Sequence, residues 1–384
     1  MKKIISSLLA LLSILSVLLL SGCSKNVTNY DLVISFNNTT YVGTFSGTIK
    51  SKVPEDNQKG GFVSGEKGSG DYFQYDGTWK DGKIYGDGFL IQENCKVTYD
   101  SESFLGTYEG SVFDGIPNGT GKFTANESND LVFEYSGNWK DGKLSGSGKL
   151  KYNKYVVKYS DGTVRTGTFE GNVYNGLPQG EGSYTATNNY DEKYTYTGAF
   201  ANGKFNGYGK KSFENGKYGI QDGNWKDNEF DPSLVERIQE LGTYKDRCEY
   251  TLNSKTKKFI KKNEIAFTKH KNSDINKLIK TNFDLKSFKK NPSSYIPSLV
   301  RVSGLEVVQI SEYEGYGNKT MTYMLACDSN YDNYYYIYKL DKAKNVVEGS
   351  IVEISFIPLG YSTYKTVSNG ENWAIVGFAA DIKK

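Results

Sequence analysis

The stretch Tyr75–Gly88, YDGTWKDGKIYGDG, decides the fold of this chain, because it returns twice with the same internal spacing. It recurs as YSGNWKDGKLSGSG at Tyr135–Gly148 and as YTGAFANGKFNGYG at Tyr196–Gly209. Each copy predicts a strand, a tight turn and a second strand, since side chains alternate across a strand and Asp-Gly or Asn-Gly tolerates the positive φ of a two-residue turn. We expect the aromatic ring of one hairpin to cover the bare Gly-x-Gly backbone of the next hairpin.

The same six positions define every copy: two aromatic residues, a glycine between them, the turn glycine and the Gly-x-Gly pair. They are Tyr75, Gly77, Trp79, Gly82, Gly86 and Gly88 in the first copy, Tyr135, Gly137, Trp139, Gly142, Gly146 and Gly148 in the second, and Tyr196, Gly198, Phe200, Gly203, Gly207 and Gly209 in the third. This pattern resembles the MORN repeat. The resemblance covers the array 41–230 and implies contacts with proteins or lipids.

A second kind of hairpin alternates with the first. It occurs as YEGSVFDGIPNGTGKFTA at Tyr108–Ala125 and as FEGNVYNGLPQGEGSYTA at Phe169–Ala186, sixty-one residues apart. The period is therefore a pair of unlike hairpins of about sixty-one residues. We expect a long antiparallel sheet of about thirteen strands with irregular first and last units, because the end copies of a stacked array face water.

The amino terminus predicts export. Lys2 and Lys3 precede the apolar run Ile4–Leu20, which ends in Leu20-Ser21-Gly22-Cys23 and resembles a bacterial lipobox. The resemblance implies that residues 1–22 are a signal peptide cleaved after Gly22, that Cys23 is acylated, and that the protein sits on the outer face of a cell membrane. The alternative is an uncleaved membrane anchor. Residues 23–40 are polar and predict a tether.

The other cysteines, Cys95, Cys248 and Cys327, are far apart and form no C-x-x-C motif, so they predict small buried side chains, with one disulfide left open. The net charge is only +3, but residues 241–290 carry fourteen Lys/Arg against five Asp/Glu. Such a cluster is typical of a solvated linker or of a surface that meets an anionic polymer or lipid. We interpret residues 231–283 as a basic helical connector.

The carboxy-terminal part predicts three helices and a small barrel. The helices are Ser233–Gly242, Ser273–Thr281 with Ser273 as its cap, and Asp284–Lys290. The five strands are Leu299–Ile310 with a bend at Gly304, Thr320–Ala326, Tyr334–Leu340, Ser350–Phe356 and a stretch near Ala374–Ala379. The collinear residues Leu285, Phe288, Asn291-Pro292, Tyr295, Val302, Gly304, Tyr331-Asp332-Asn333, Glu348-Gly349-Ser350, Val352 and Gly360-Tyr361 resemble the OB-fold-like domains of Gram-positive surface proteins, placing such a domain at 284–384.

Little in the sequence predicts catalysis. The single histidine, His270, lies between lysines and predicts a solvated side chain, and no nucleophile elbow or phosphate loop occurs. Asp328-x-Asn330-x-Asp332 has the spacing of half a calcium loop but lacks its glycine and glutamate, so a turn is favoured. The run Tyr334–Tyr336 with Lys339 favours barrel core over a nucleic-acid surface.

The fold class is thus mainly β: an elongated MORN-type repeat sheet plus an OB-like barrel. The function we predict is a non-enzymatic, membrane-anchored surface lipoprotein acting as a scaffold or protein-interaction module. The first alternative is binding of a cell-wall polymer or carbohydrate through aromatic faces, for which Tyr152, Tyr155 and Tyr159 are candidates. The second is a hydrolase that uses carboxylates alone. We expect no cofactor, metal, nucleic acid or small-molecule substrate, and the composition suggests a Gram-positive source.

Overall fold

The computed structural model describes residues 22–127, 130–216, 218–244, 247–280, 283–315, 319–366 and 370–384. The predicted signal peptide therefore lies outside the described residues, apart from Gly22. The described chain is mainly β, with a long antiparallel hairpin sheet and a separate five-stranded barrel, as the sequence predicts.

The elements follow one another along the chain as hairpin strands, short helices and barrel strands. The hairpin strands are β1 (Lys25–Phe36), β2 (Thr39–Lys50), β3 (Val53–Pro54), β4 (Lys59–Ser64), β5 (Phe73–Lys80), β6 (Lys83–Tyr99), β7 (Glu102–Phe113), β8 (Ile116–Glu127), β9 (Asp130–Lys140), β10 (Lys143–Lys158), β11 (Val164–Tyr174), β12 (Leu177–Thr187), β13 (Lys193–Ala201), β14 (Lys204–Phe213), β15 (Gln221–Lys226) and β16 (Glu229–Phe230). The helices are α1 (Leu234–Leu241), α2 (Ser254–Lys262), α3 (Glu264–Thr268), α4 (Asn272–Asn276), α5 (Leu285–Lys290) and a 3₁₀ turn at Pro292–Ser294. The barrel strands are β17 (Val300–Gly315), β18 (Lys319–Cys327), β19 (Tyr334–Leu340), β20 (Ile351–Lys365) and β21 (Glu371–Lys383).

The chain divides into two compact units. Unit 1 consists of Met1–Lys154 and Phe169–Pro178, and unit 2 of Tyr155–Thr168 and Gln179–Lys384. The division passes through strands β10, β11 and β12. Unit 2 thus combines the last hairpins, the helices and the barrel.

In unit 1, neighbouring strands pair antiparallel in the order β1-β2-β4-β5-β6-β7-β8-β9. The predicted turn chemistry is confirmed, because Asp81 and Gly82 have φ of 50° and 71°, and Asp141 and Gly142 have φ of 49° and 74°. These angles match a hairpin turn whose twist suits the flanking strands.

The tether prediction is wrong for most of residues 23–40. Strand β1 runs over twelve residues and pairs with β2 from Lys25 opposite Ile49 to Phe36 opposite Thr39. The segment is polar because this strand lies at the edge of the sheet, with Ile34 as its buried contact. A strand with one solvated face has the composition of a tether.

In unit 2, the predicted helix after the last repeat is confirmed. The Ser233 side chain accepts a hydrogen bond from the Glu236 backbone N–H, and the Glu236 carboxylate accepts one from the Ser233 N–H, forming a capping box. Glu236 also accepts a hydrogen bond from Asn224 of β15, which fixes α1 beside the last strands. Helix α1 therefore packs beside the last strands of the sheet.

The connector is more ordered than a solvated linker. Its buried side chains, which include Ile260 of α2, Phe267 of α3 and Ile275 of α4, belong to one apolar cluster with Tyr336 and Tyr338 of the barrel. The prediction of a helix at Ser273–Thr281 capped by Ser273 is wrong in extent, because α4 begins at Asn272, has Lys271 at its cap position and ends at Asn276. Helices α2 and α3 were not predicted, since α2 has many lysines around a narrow apolar stripe and α3 is only five residues long.

The barrel is closed in the order β17-β18-β19-β21-β20, with β19 and β21 parallel and the other pairs antiparallel. The predicted bend is confirmed, since Gly304 has φ of 74° within a register shift between β17 and β20. A second apolar cluster fills the barrel and includes Val307, Ile337, Ile354 and, from helix α5, Phe288.

Candidate functional site

The repeat tyrosines lie over the glycines of their own hairpins. A methyl group at Gly148 would approach the Cζ and Oη atoms of Tyr135 within 2.6 Å, and Tyr196 stands in the same relation to Gly209. The Tyr135 Oη donates to the Asn138 carbonyl at 2.8 Å. Our prediction that each ring covers the glycines of the next hairpin is wrong for tyrosine, because the two strands of one hairpin are the nearest backbones.

Tryptophan provides the contact between hairpins instead. The indole N–H of Trp79 donates to the Gly60 carbonyl at 2.8 Å, and that of Trp139 donates to Gly121 at 3.0 Å. Both bonds reach the preceding hairpin, and both rings are almost fully buried. The copy with Phe200 lacks this donor, but Trp225 of the next strand donates to Gly209 at 3.1 Å.

The two glycines of each Gly-x-Gly have different tasks. Gly86, Gly146 and Gly207 have φ of 63°, 54° and 103° at a bulge in the hairpin. A methyl group at Gly86 would meet nothing closer than 3.9 Å, so this glycine is required by its backbone angle rather than by a ring above it.

Sequence reasoning missed the side chains that join successive hairpins. The Asp114 carboxylate accepts the Gly86 N–H at 2.6 Å while the Asp114 N–H donates to the Gly86 carbonyl. Asn175 makes the same two bonds with Gly146, at 2.7 and 2.8 Å. The signal was present, since the first turn residue is Asp or Asn in both hairpins of the second kind.

These bonds stack the turns of unit 1 into a row that we call the tip ladder. It comprises the turns Ser51-Lys52, Asp81-Gly82, Asp114-Gly115, Asp141-Gly142 and Asn175-Gly176 with their flanking residues. Besides the Asp114 and Asn175 pairs, the Asp81 N–H donates to Asp56 at 2.8 Å and the Gly142 N–H to the Pro117 carbonyl at 3.0 Å.

The side chains that flank these turns alternate in character along the tip ladder. Turns of the first kind are flanked by exposed lysines, Lys80 and Lys83 in one and Lys140 and Lys143 in the other. Turns of the second kind are flanked by large apolar side chains: Phe113 (49% exposed), Ile116 (50%), Tyr174 (55%) and Leu177 (51%). Exposed apolar side chains of this size, repeated at equivalent positions, make the tip ladder a candidate contact surface.

Cys23 lies at the first rung of the tip ladder and is exposed. The Ser24 hydroxyl donates to the Glu55 carboxylate at 2.6 Å, and a methyl group at Gly22 would lie 3.2 Å from the Ser51 nitrogen. The backbone next to Cys23 is therefore held against the first turn.

The other cysteines are buried and unpaired, as the sequence favours. Burial raises the pKa of the Cys95 thiol to about 11 and that of Cys248 to about 12, so both stay protonated at neutral pH.

The tyrosines proposed as a carbohydrate surface do not form one. Tyr152 is 2% exposed and Tyr155 is 9% exposed, and the Tyr155 hydroxyl donates to the Gly203 carbonyl at 2.6 Å. The Tyr159 hydroxyl lies 3.1 Å from that of Tyr194. They are packing residues: the Tyr152 ring packs on Tyr99 and Phe104 of earlier hairpins, whereas Tyr155 and Tyr159 contact later strands.

His270 is not solvated as predicted. Its Nδ1 lies 2.6 Å from the Ala380 carbonyl and therefore donates, while Nε2 lies 3.5 Å from both the Asp341 carboxylate and the Lys339 ammonium. Lys339 is only 5% exposed, and burial lowers its pKa. The group ties the segment before α4 to β19 and β21.

The loop Asp328–Asn333 is a turn, as predicted. The Asp328 carboxylate accepts the Asp332 N–H at 2.9 Å and the Asn333 amide at 2.6 Å. Across the residues that the structure describes, no group of three or more His, Cys, Asp or Glu is arranged to hold a metal ion. Tyr335 and Tyr336 are buried, as a core position requires.

Unit 2 contains a cavity of about 330 Å³ at the end of strands β20 and β21. Its lining includes the carboxylates Glu249 and Glu371 and the cations Arg247 and Lys365. The Arg247 guanidinium lies 4.7 Å from the ring centre of Tyr244, a cation–π contact that holds it at the wall. Each carboxylate thus has a cation in the same wall, which suits binding of a polar group better than acid–base chemistry.

Within the described ranges, no helix has the length and apolar character needed to cross a membrane.

Comparison with known families identifies the repeats. A family model described as "MORN repeat" matches residues 75–86, 108–127, 135–156, 169–189 and 196–218. The chain therefore contains MORN repeats, which are commonly non-catalytic modules that contact proteins or membranes.

Among curated proteins the chain is similar to Alsin. Identity is 32% over 103 residues with Alsin of Rattus norvegicus, and 31% over 103 residues with Alsin of Homo sapiens and of Pan troglodytes. The match covers 27% of this chain and spans only 5% of the length of these relatives. The likeness is thus confined to the repeat region.

Proposed function

We propose that this chain is an acylated, non-enzymatic protein of the outer face of a cell membrane, and that its tip ladder lies on the bilayer. The observation that supports this most strongly is the position of Cys23 at the first rung of the ladder. After cleavage Ser24 still donates to Glu55 and Lys25 still pairs with Ile49, so an acyl chain on Cys23 would leave the protein on the edge where the lysine and apolar turns alternate.

The chemistry of the tip ladder suits a membrane interface. Phe113, Ile116, Tyr174 and Leu177 would enter the boundary between headgroups and acyl chains, where aromatic and aliphatic side chains are stabilised. A lysine near an anionic bilayer contributes about 1 kcal/mol. The acyl chains provide most of the affinity, at ~0.8 kcal/mol for each buried methylene.

The ladder is not purely basic. Asp81, Asp114 and Asp141 lie in the same turns, but the Asp114 carboxylate already accepts the Gly86 N–H. The net electrostatic attraction is therefore modest, and the ladder serves to orient unit 1 rather than to recruit it. An oriented sheet presents its other face as a scaffold for protein partners.

We also propose that the barrel is of the OB type. Five strands close it with the order β17-β18-β19-β21-β20. Oligonucleotide binding on the outer face of β18 and β19 is disfavoured, because Cys248 and Tyr250 of the connector pack there with Tyr336 and Tyr338.

The first experiment tests the anchor. The full chain is produced in a bacterium that processes lipoproteins, and wild type is compared with Cys23→Ala. We expect wild type in the membrane fraction with a covalent acyl label, and Cys23→Ala without label. An unlabelled wild type would overturn the anchored function.

The second experiment tests the orientation. Ile116→Cys and the control Leu105→Cys, which replace side chains 50% and 62% exposed, are labelled with an environment-sensitive dye in acylated protein on vesicles of phosphatidylglycerol and phosphatidylcholine. We expect a blue shift at position 116 only. If both dyes report exposure to water while the protein remains anchored, the membrane-facing ladder is rejected, and a docking surface for a protein is favoured instead.

A further inference from the structure

Trp373 differs from the other tryptophans of the chain. Trp79, Trp139 and Trp225 are at most 4% exposed, whereas Trp373 on β21 is 51% exposed. Burial of an indole is strongly favourable, so a large exposed indole on an ordered strand is a mark of a binding position.

The Trp373 ring is supported from below. It stacks on Tyr361 of β20 with ring centres 5.0 Å apart and planes inclined by 28°. The register places Thr363 opposite Trp373 and Tyr361 opposite the buried Ile375. The Lys289 ammonium lies 5.2 Å from the Tyr361 ring centre. Both strands and helix α5 therefore hold this pair of rings as a fixed platform.

A polar rim borders the platform. The Lys289 ammonium donates to the Asn333 side-chain oxygen at 2.5 Å, and the Asn333 amide donates to the Asp328 carboxylate at 2.6 Å. Tyr334, which follows Asn333, pairs in parallel with Ala374, which follows Trp373, so the rim and the platform lie at the same end of β19 and β21. An ammonium, a carboxamide and a carboxylate thus stand in a hydrogen-bonded chain next to an open aromatic face.

We propose that Trp373, Tyr361, Lys289 and Asn333 form a saccharide-binding site for a hexopyranose unit of a surface polysaccharide. The C–H face of a pyranose ring packs on an indole, while its equatorial hydroxyls require donors and acceptors at the ring edge, which the rim supplies. The fixed rings keep the ordering cost of binding low.

A nucleic acid fits the site less well. A nucleobase stacks on aromatic rings, but a nucleic-acid strand also needs a basic groove along its phosphates. Here the positive charge of Lys289 is offset by the negative charge of Asp328, because the Asn333 side chain hydrogen-bonds to both. The site favours a ligand that is rich in hydroxyls and low in charge.

The test uses the full chain and its intrinsic tryptophan fluorescence, in which Trp373 is the exposed member of the four tryptophans. The probes are the uncharged saccharides chitotetraose, cellotetraose and maltotetraose, with a single-stranded dT oligonucleotide for comparison. We expect at least one saccharide to shift the emission and bind saturably, and Trp373→Ala to weaken its binding, measured by calorimetry, at least tenfold. Trp373→Tyr, which keeps a flat ring, should recover part of the affinity.

Tyr190→Ala is the matched control, since Tyr190 is an exposed tyrosine of the same unit, 76% exposed, on the loop between β12 and β13 and outside the site. It should bind like wild type. Absence of binding to all three saccharides, equal binding by Trp373→Ala, or binding of the oligonucleotide alone would each overturn the proposal. Retained near-ultraviolet dichroism shows that a weak variant is folded.

Discussion

The repeat sheet and the barrel bury their aromatic side chains in different ways. In the sheet, Tyr75, Tyr135 and Tyr196 each donate a hydrogen bond to the carbonyl three residues later and lie over glycines of the same hairpin. In the barrel unit, Phe267 of a helix packs against Phe378 of the last strand, with ring centres 5.8 Å apart. Contacts in the sheet are local and repeated, whereas those of the barrel join distant segments.

This difference predicts how far the effect of a substitution spreads in each region. A change in one hairpin affects that hairpin and its neighbours, because each unit of a repeat array contacts only what is next to it. A change in the barrel cluster affects segments more than one hundred residues apart. The following predictions test this contrast.

Phe267→Ala should have the largest effect. It should lower the free energy of unfolding of unit 2 by about 3–5 kcal/mol, because it removes a fully buried ring from the apolar cluster between the connector and the barrel. Hydrogen exchange read by mass spectrometry should show loss of protection in β21 and α2 and unchanged protection in β5–β9. The control Ile265→Ala, on the same helix but 60% exposed, should exchange like wild type. Loss of protection in β5–β9 as well would contradict the contrast.

Gly137→Ala should destabilise unit 1 by about 2–3 kcal/mol. Its new methyl group would lie 2.5 Å from the Gly148 Cα and 2.6 Å from the Tyr135 Oη. Gly61→Ala is the matched control, because the nearest atom to a methyl group there is 4.0 Å away. Urea unfolding followed by tryptophan fluorescence measures both, and equal midpoints would show that the rings do not require bare glycine.

Lys211→Met should change how stability depends on pH. The Lys211 ammonium lies 4.2 Å from the Tyr194 ring centre and near Tyr159, Phe213, Glu229 and Arg165, and burial lowers its pKa to about 8. Between pH 8 and the unfolded value of 10.5, the unfolded chain binds more protons, so stability rises with pH. The slope is at most about 1.4 kcal/mol per pH unit.

Denaturation of both proteins between pH 7.5 and 9.5 checks this as a difference, since the buried thiols of Cys95 and Cys248 and the buried tyrosines have raised pKa values and oppose the trend equally in both. The stability of wild type minus that of Lys211→Met should rise with pH across this window. A wild type and variant with parallel profiles would show that the ammonium is not held among these rings.

Asn175→Gly should have the smallest effect and lower the free energy of unfolding by about 1 kcal/mol, because it removes the acceptor of the Gly146 N–H. Glycine also tolerates the positive φ of this position. At the equivalent Asn202 turn, the link to the preceding hairpin is made by the Asn202 backbone N–H, which donates to the Gln179 side-chain oxygen. Asn202→Gly should therefore leave the unfolding midpoint unchanged, and an equal loss in both variants would contradict the role of the Asn175 side chain.

Much of the sheet was predictable because its signals are short-range. Asp81-Gly82 and Asp141-Gly142 predict tight turns because these residues tolerate the positive φ angles that such turns require. Pro232 predicts the end of the array, whose last strand ends at Phe230. The platform of Trp373 and Tyr361 was not predicted. Nothing near either residue in the sequence shows that β20 and β21 would stack the two rings in the open.

The sequence by itself determined the repeat, its turns and the barrel strands, because alternation, turn chemistry and glycine spacing act within one hairpin. Only the tertiary structure decided that segment 25–36 is an edge strand, that the lysine-rich connector packs on the barrel, and that His270 is held between Lys339, Asp341 and Ala380. The physical reason is distance along the chain. A polar strand, a charged helix and a lone histidine have the same composition whether solvated or packed, and only their partners distinguish these states.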